Sequence, residues 1–158
     1  MNFARTIRLD DSDLEVFREA AEPGEWAIPG TFAFSNWTQA DLTGKQAQEF
    51  AHGWLGLSSF GRASVVAVTQ ITKEEREGLV DALAFHFTEC WGAPNPEAAR
   101  PTAEEEIAHM IDMCGAHPEN TLIVVERSLS EAGVNDKFRL IPPNGASLEA
   151  FAVHGELS

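Results

Sequence analysis

Lysine is scarce in this chain. Of 158 residues, 11 are Lys or Arg against 25 Asp or Glu, and the only lysines are Lys45, Lys73 and Lys137. The formal net charge is −14. Nucleic-acid binding needs clustered cations that displace counterions from phosphates, and the sequence holds no run of Lys or Arg. An anionic membrane surface is disfavoured on the same ground. Cysteine is limited to Cys90 and Cys114, too few for a disulfide framework. No apolar run approaches the roughly 20 residues that span a bilayer. Met1 to Asp10 lacks the charged region, apolar stretch and cleavage site of a secretory signal. These absences together make the cytoplasm the expected location, since thiols there stay reduced. No strand leads into a glycine-rich phosphate loop, and no serine sits in a nucleophile elbow.

What remains is an ordinary globular balance, 44% hydrophobic and 23% charged, far from the make-up of disordered chains. The length suits one domain, residues 1–158, with a core that needs no disulfide or metal staple. Neither repeats nor low-complexity segments occur.

Periodicity sets the expected elements. Phe3 to Leu9 alternates as a strand. Leu14 to Phe17 reads as a second short strand or an irregular stretch. Ile28-Pro29-Gly30-Thr31 fits a type II turn, which makes Trp26 to Ile28 and Thr31 to Trp37 the arms of a hairpin. A first helix starts near Thr43, capped with Gln46, and its apolar stripe is Ala47, Phe50, Ala51, Trp54 and Leu55. Ala63 to Ile71 is apolar on both faces and reads as a central strand covered on both sides or nearly so. Thr72 and Glu75 form a capping box for a long helix to about Trp91, with Leu79, Val80, Leu83, Ala84, Phe87, Cys90 and Trp91 in one arc and Phe85 nearly opposite. Gly92 to Pro101 reads as a connection. Thr102 and Glu105 cap the next helix, which turns Ala103, Ile107, Met110, Ile111 and Cys114 inward and stops at Gly115. Thr121 to Arg127, Phe138 to Ile141 and Leu148 to Val153 are the later strands. The order predicts an α+β fold: one mixed or mostly antiparallel sheet with about three helices packed largely on one face.

Several side-chain groupings could carry chemistry. His109, Cys114 and His117 have spacings like those of metal ligands, but five helical residues put His109 and Cys114 about 140° apart. Cys114 then reads as a core thiol. Glu106 and His109 echo the carboxylate–histidine pairs of di-iron bundles, yet no second such pair exists, and a solvated acidic face is the plainer reading. His86, Glu89 and Cys90 share the long helix. His86 and Cys90, one turn apart, could share a zinc ion with His52 or His117, or His86 could assist a Cys90 thiolate. A packed thiol beside a boundary histidine is the plainer alternative. Gly53, Gly56 and Gly61 cluster around a helix end without forming a known fingerprint. Tyrosine is absent, and the four tryptophans are Trp26, Trp37, Trp54 and Trp91. Trp26 and Trp37 flank the expected hairpin and Phe85 lies on a polar helix face, so these three are the candidate anchors of an interface.

The stretch Glu22-Pro-Gly-Glu-Trp-Ala-Ile-Pro-Gly-Thr-Phe-Ala-Phe-Ser-Asn-Trp37, with Phe50-Ala-His-Gly-Trp54, resembles a bacterial family known as a domain of unknown function. Its genes sometimes lie near those of molybdenum-cofactor oxidoreductases and their accessory proteins. The resemblance extends over most of the chain and implies an accessory role, but it carries no catalytic residue across.

Three functions follow as expectations. The first is a non-enzymatic accessory protein that binds another protein and assists a redox enzyme. The second is a small metal- or ligand-binding protein using His86, Cys90 and His117, with zinc as the candidate ion. The third is an enzyme with His86 and Glu89 as acid–base pair. No other cofactor is expected. Two-fold dimers are the commonest assembly, so a homodimer is the default oligomer.

Overall fold

In the computed structural model, residues 1–143 are described. Expected strands that begin later, Leu148 to Val153, lie outside them. The main sheet has four antiparallel strands: β1 (Asn2–Ile7), β5 (Val65–Gln70), β6 (Leu122–Ser130) and β7 (Gly133–Ile141), in the order β1-β5-β6-β7. A smaller antiparallel sheet joins β2 (Ala27–Ile28), β3 (Trp54–Gly56) and β4 (Arg62–Ala63) in the order β2-β3-β4. A bridge between Arg5 and Trp26 links the two sheets. The helices are α1 (Ser12–Val16), α2 (Gly44–His52), α3 (Lys73–Cys90) and α4 (Pro96–Gly115), with two 3-10 turns at Thr31–Phe34 and Gln39–Asp41. The fold is α+β, with two sheets rather than one.

Register explains which face of the main sheet is covered. Ala4 lies opposite Val68, Val66 opposite Ile123, and Val125 opposite Phe138. In antiparallel pairs, directly opposed residues share a face. Ala4, Val66, Val68, Ile123 and Val125 are fully buried on it, while Ala67, Val124 and Glu126 on the other side are only half-buried. β5 is therefore sealed on one face and half-covered on the other. Ile107, Met110 and Cys114 of α4 and Val80 and Leu83 of α3 join the same core cluster, none of them exposed.

Local chemistry sets the boundaries. The capping box of α3 forms as expected: Glu75 N–H donates to Thr72 Oγ1 at 3.1 Å, and Thr72 N–H donates to Glu75 Oε1 at 3.0 Å. For α4 the expected cap, Thr102, lies seven residues late. Asn95 is the cap, accepting from Ala98 N–H at 2.8 Å, and Pro96 begins the helix, where a missing N–H is harmless. Pro101 lies inside the helix, so Thr102 and Glu105 are ordinary helical residues and not a cap. Only the Glu97 carbonyl loses its bond at that point.

Five further expectations are corrected. Thr31 to Trp37 is not a hairpin arm. Gly30 takes φ +67° and leads into a 3-10 turn, and β2 pairs with β3 instead. Trp54 and Leu55 belong to β3 and not to the α2 stripe. There Trp54, Leu55 and Gly56 are all buried, whereas a continued amphipathic helix would bury only one stripe. Thr43 makes no side-chain cap on α2. Leu14 lies in the short helix α1, with Leu14 54% exposed. The β6–β7 hairpin is longer than its apolar core suggests, because Ser128, Ser130 and Asn135 extend the pairing to a turn at Gly133.

Candidate functional site

One cleft of about 740 Å3 collects residues from six separate segments of the chain. Arg18 and Glu19 follow α1. Phe32, Phe34 and Trp37 come from the first 3-10 turn and its exit. Glu49 comes from α2 and Leu55 from β3. Phe60 and Arg62 enter from the β3–β4 loop and β4. His86, Cys90 and Trp91 close the far wall from the end of α3.

The far wall is aromatic. Phe60 and His86 stack with centroids 3.8 Å apart and planes 4° from parallel. Trp91 Nε1–H donates to His86 Nε2 at 3.2 Å, which leaves the ring proton on Nδ1. Burial holds the imidazole below its ordinary pKa of 6.5, since desolvation disfavours the charged form. Phe32 packs edge-on against both Phe87 and Trp91, at 4.9 and 5.6 Å. Cys90 is exposed at the rim.

Two cations, Arg62 and Arg18, line the cleft, and Arg127 lies behind Phe34. Arg62 is 7% exposed. Its Nη1 donates to the Pro29 and Gly53 carbonyls at 3.2 and 3.1 Å, and Nη2 to the Gly30 carbonyl at 3.3 Å. Two glycines pack against it as well as against Leu55 Cβ and the Glu49 carbonyl, which lie nearer still. A Cβ on Gly30 would stand 3.0 Å from Arg62 Nη1, and one on Gly53 would stand 2.9 Å from its Cδ. Burial and the neighbouring Arg127 push Arg62 down to about 9. Arg127 is held by Asp136 at 2.8 Å and by the Phe50 and Pro29 carbonyls. Phe34 presents its ring to both guanidiniums, 4.6 Å from Arg62 and 5.0 Å from Arg127. Arg18 is committed to Glu49: its backbone N–H and Nε both reach Oε2 at 2.9 Å, and Nη2 reaches Oε1 at 2.8 Å. Although burial opposes it, this contact holds Glu49 below the usual carboxylate range.

Of the six residues singled out from sequence, the cleft brings together His86, Cys90 and Trp37. The other three lie elsewhere. His117 follows α4, where its carbonyl accepts from Asn2 Nδ2 at 3.0 Å. Trp26 packs edge-on against Phe3 with Arg5 over its ring, 3.9 Å from the centroid. Phe85 is 58% exposed and lines a separate groove with Ala84, Pro96 and Arg100. Trp37 is itself half-buried against Phe34 and Phe50. Glu89 is exposed and does not line the cleft. His52 Nδ1 sits 3.2 Å from the Val125 carbonyl, away from Cys90. Among the described residues, no three His, Cys, Asp or Glu side chains converge to hold a metal.

Arg62, Phe60 and Phe34 were not foreseen. The faint signal for Arg62 is Gly53, the one member of the cluster Gly53, Gly56 and Gly61 that approaches it; Gly61 meets the Ala20–Ala21 backbone instead. Gly56 has a different neighbour. A Cβ there would run into Glu25, whose carboxylate gathers the Ser58 and Ser59 N–H groups at 3.0 and 2.8 Å and Ser59 Oγ at 2.6 Å. The Ser58–Ser59 pair is thus a loop anchor. Cys114 is fully buried and burial pushes its thiol up to about 12, as expected for a core thiol.

The whole chain, residues 1–158, matches the family of unknown function DUF6505. Neither the curated proteins nor the solved structures contain a match to it. Among the described residues, no helix is long and apolar enough to cross a membrane.

Proposed function

We propose that this chain, which belongs to the family of unknown function DUF6505, binds a small organic ligand in the cleft floored by Arg62 and walled by His86, Phe60 and Trp91. The observation that carries this reading is the convergence of a buried cation and several aromatic rings on one cleft of about 740 Å3. Ligand sites are typically concave, lined by apolar and aromatic surface, and furnished with a few placed polar groups. The metal version of the reading finds no support, because neither His117 nor His52 reaches His86 and Cys90. The enzymatic version lacks its second group, since Glu89 stays outside.

Titration of the protein with planar aromatic probes tests the proposal, read by quenching of tryptophan emission. Saturable quenching that weakens severalfold in Trp91→Ala and Phe60→Ala supports it. Quenching that survives both substitutions unchanged places the probe elsewhere and ends it.

A second reading, an accessory protein that docks on a redox enzyme, is favoured by one observation. Phe85 is 58% exposed on α3, and large exposed aromatics are common interface anchors. If it holds, Phe85→Ala lowers affinity for a purified partner without lowering the melting temperature. Trp26 and Trp37 offer less surface than Phe85, since both are half-buried against other rings.

A further inference from the structure

We infer that the ligand of this cleft is an anion, whose carboxylate or phosphate group is received by Arg62. This rests on the ligand-binding reading above and adds the chemical class.

Two guanidiniums, those of Arg62 and Arg127, face the Phe34 ring, and Arg18 lines the same cleft. Arg18 is matched by Glu49 at 2.8 Å and Arg127 by Asp136 at 2.8 Å. None of the ion pairs among the described residues includes Arg62. Its hydrogen bonds go to three neutral carbonyls. Glu49 acts on it only through space, and Arg127 opposes that effect. A buried charge without a counter-ion is among the costlier arrangements in a folded protein. Here the uncompensated guanidinium is not sealed in the core but lines a cleft.

The walls then define what fits. A guanidinium presents donors in a planar fork that matches carboxylate and phosphate oxygens. The Phe34 ring lies 4.6 Å from Arg62 Cζ, and Phe32, Phe60 and Trp91 line the same cleft; apolar surface near a charge strengthens its contacts. The same rings suit a flat organic body attached to the anion. General attraction cannot supply anion binding in this chain, because its net charge of −14 repels anions. A preference for an anion must come from a local cation.

The experiment compares 2-naphthoate with 2-naphthamide, its neutral isostere, by quenching of tryptophan emission in the intact protein. The carboxylate is expected to bind at least about tenfold tighter. That margin should vanish in Arg62→Gln and survive in part in Arg62→Lys. Inorganic phosphate should displace 2-naphthoate from the unmutated protein, a readout that stands even if the Arg62 variants fail to fold. Equal affinity for acid and amide overturns the anion inference and leaves the ligand-binding reading standing. Failure of both probes to bind overturns the two together.

Discussion

Phe60 lies flat on His86, 3.8 Å between ring centroids, and reaches that position from a backbone φ of +58°. A bulky residue in the left-handed region carries a strain of about 1–2 kcal/mol, tolerated only where its surroundings hold it. The stacking contact at the cleft wall is what holds it here. Replacement by glycine relieves the strain and loses the ring, whereas replacement by alanine loses the ring and keeps the strain. Phe60→Gly is therefore expected to be more stable than Phe60→Ala by about 1 kcal/mol, or about 2–4 °C in melting temperature. That order reverses the usual preference for alanine. An alanine variant more stable than the glycine variant would show that the loop carries no such strain.

His86 gives the protein a pH dependence of known sign. Its imidazole titrates below 6.5 because the folded state buries it, so the unfolded chain binds the proton more readily. The stabilisation is fully present above pH 6.5 and declines as pH falls from there through the folded value. Protonation also places a proton on Nε2, which removes the acceptor of the Trp91 bond. Melting temperatures measured from pH 7.5 to 5.5 should fall more steeply for the unmutated chain than for His86→Gln. The Trp91 contribution to emission, isolated by comparison with Trp91→Phe, should change over the same window. Glu25 and Glu49, both held below the ordinary carboxylate range, contribute a separate loss that begins only below about pH 4.5. Parallel curves for the two chains between pH 7.5 and 5.5 would contradict the buried, neutral imidazole.

Two ion pairs of the main sheet should differ sharply in worth. Arg127 has a fully buried side chain and joins Asp136 to the Phe50, Gly53 and Pro29 carbonyls. Arg139 meets Glu126 at 2.9 Å on the half-exposed face, with side chains 41% and 40% exposed. Arg127→Met leaves Asp136 without its cation and the Phe50 carbonyl without this donor, while the Pro29 and Gly53 carbonyls keep Arg62 Nη1; the change is expected to destabilise by about 3–5 kcal/mol. Arg139→Met should shift stability by at most about 1 kcal/mol. Urea unfolding of both variants checks the contrast, and similar midpoints would mean that Arg127 is not the pin between β6, β7 and the cleft floor.

The sequence was legible where one local signal decides the structure. Thr72 and Glu75 start α3 as read, and the buried side of α4 holds four of the five residues expected there, Ala103, Ile107, Met110 and Cys114, with Ile111 half-buried and Ala99 added. It misled where local and tertiary demands diverge. Trp54 and Leu55 continue the spacing of α2, yet β3 buries both, and no periodicity rule registers that competition. Pro101 looked like a helix boundary because its position relative to Asn95 could not be judged without knowing that Asn95 caps. The cleft was half legible. His86 and Cys90 stand one turn apart on α3 and could be paired from spacing alone. Arg62 could not be found that way, because its partners, the carbonyls of Pro29, Gly30 and Gly53, are set by the crossing of β2, β3 and β4. Backbone carbonyls have no residue-type signature.

The two thiols should separate cleanly by reactivity. Cys90 is exposed at the cleft rim, while Cys114 is fully buried on α4 and its thiol is pushed up to about 12. The thiolate is the reactive form, so at pH 8 Cys114 presents neither access nor the right protonation state. A disulfide reagent should titrate one thiol per native chain and two after denaturation, and Cys90→Ser should abolish the native reaction. Because Cys90 lines the cleft beside His86 and Trp91, saturating 2-naphthoate should slow its modification severalfold, while 2-naphthamide at the same concentration should slow it less. Modification of Cys114 in the native chain at the rate of Cys90 would show that α4 opens readily. An unchanged rate at Cys90 under saturating 2-naphthoate would place the bound probe away from the wall formed by the end of α3.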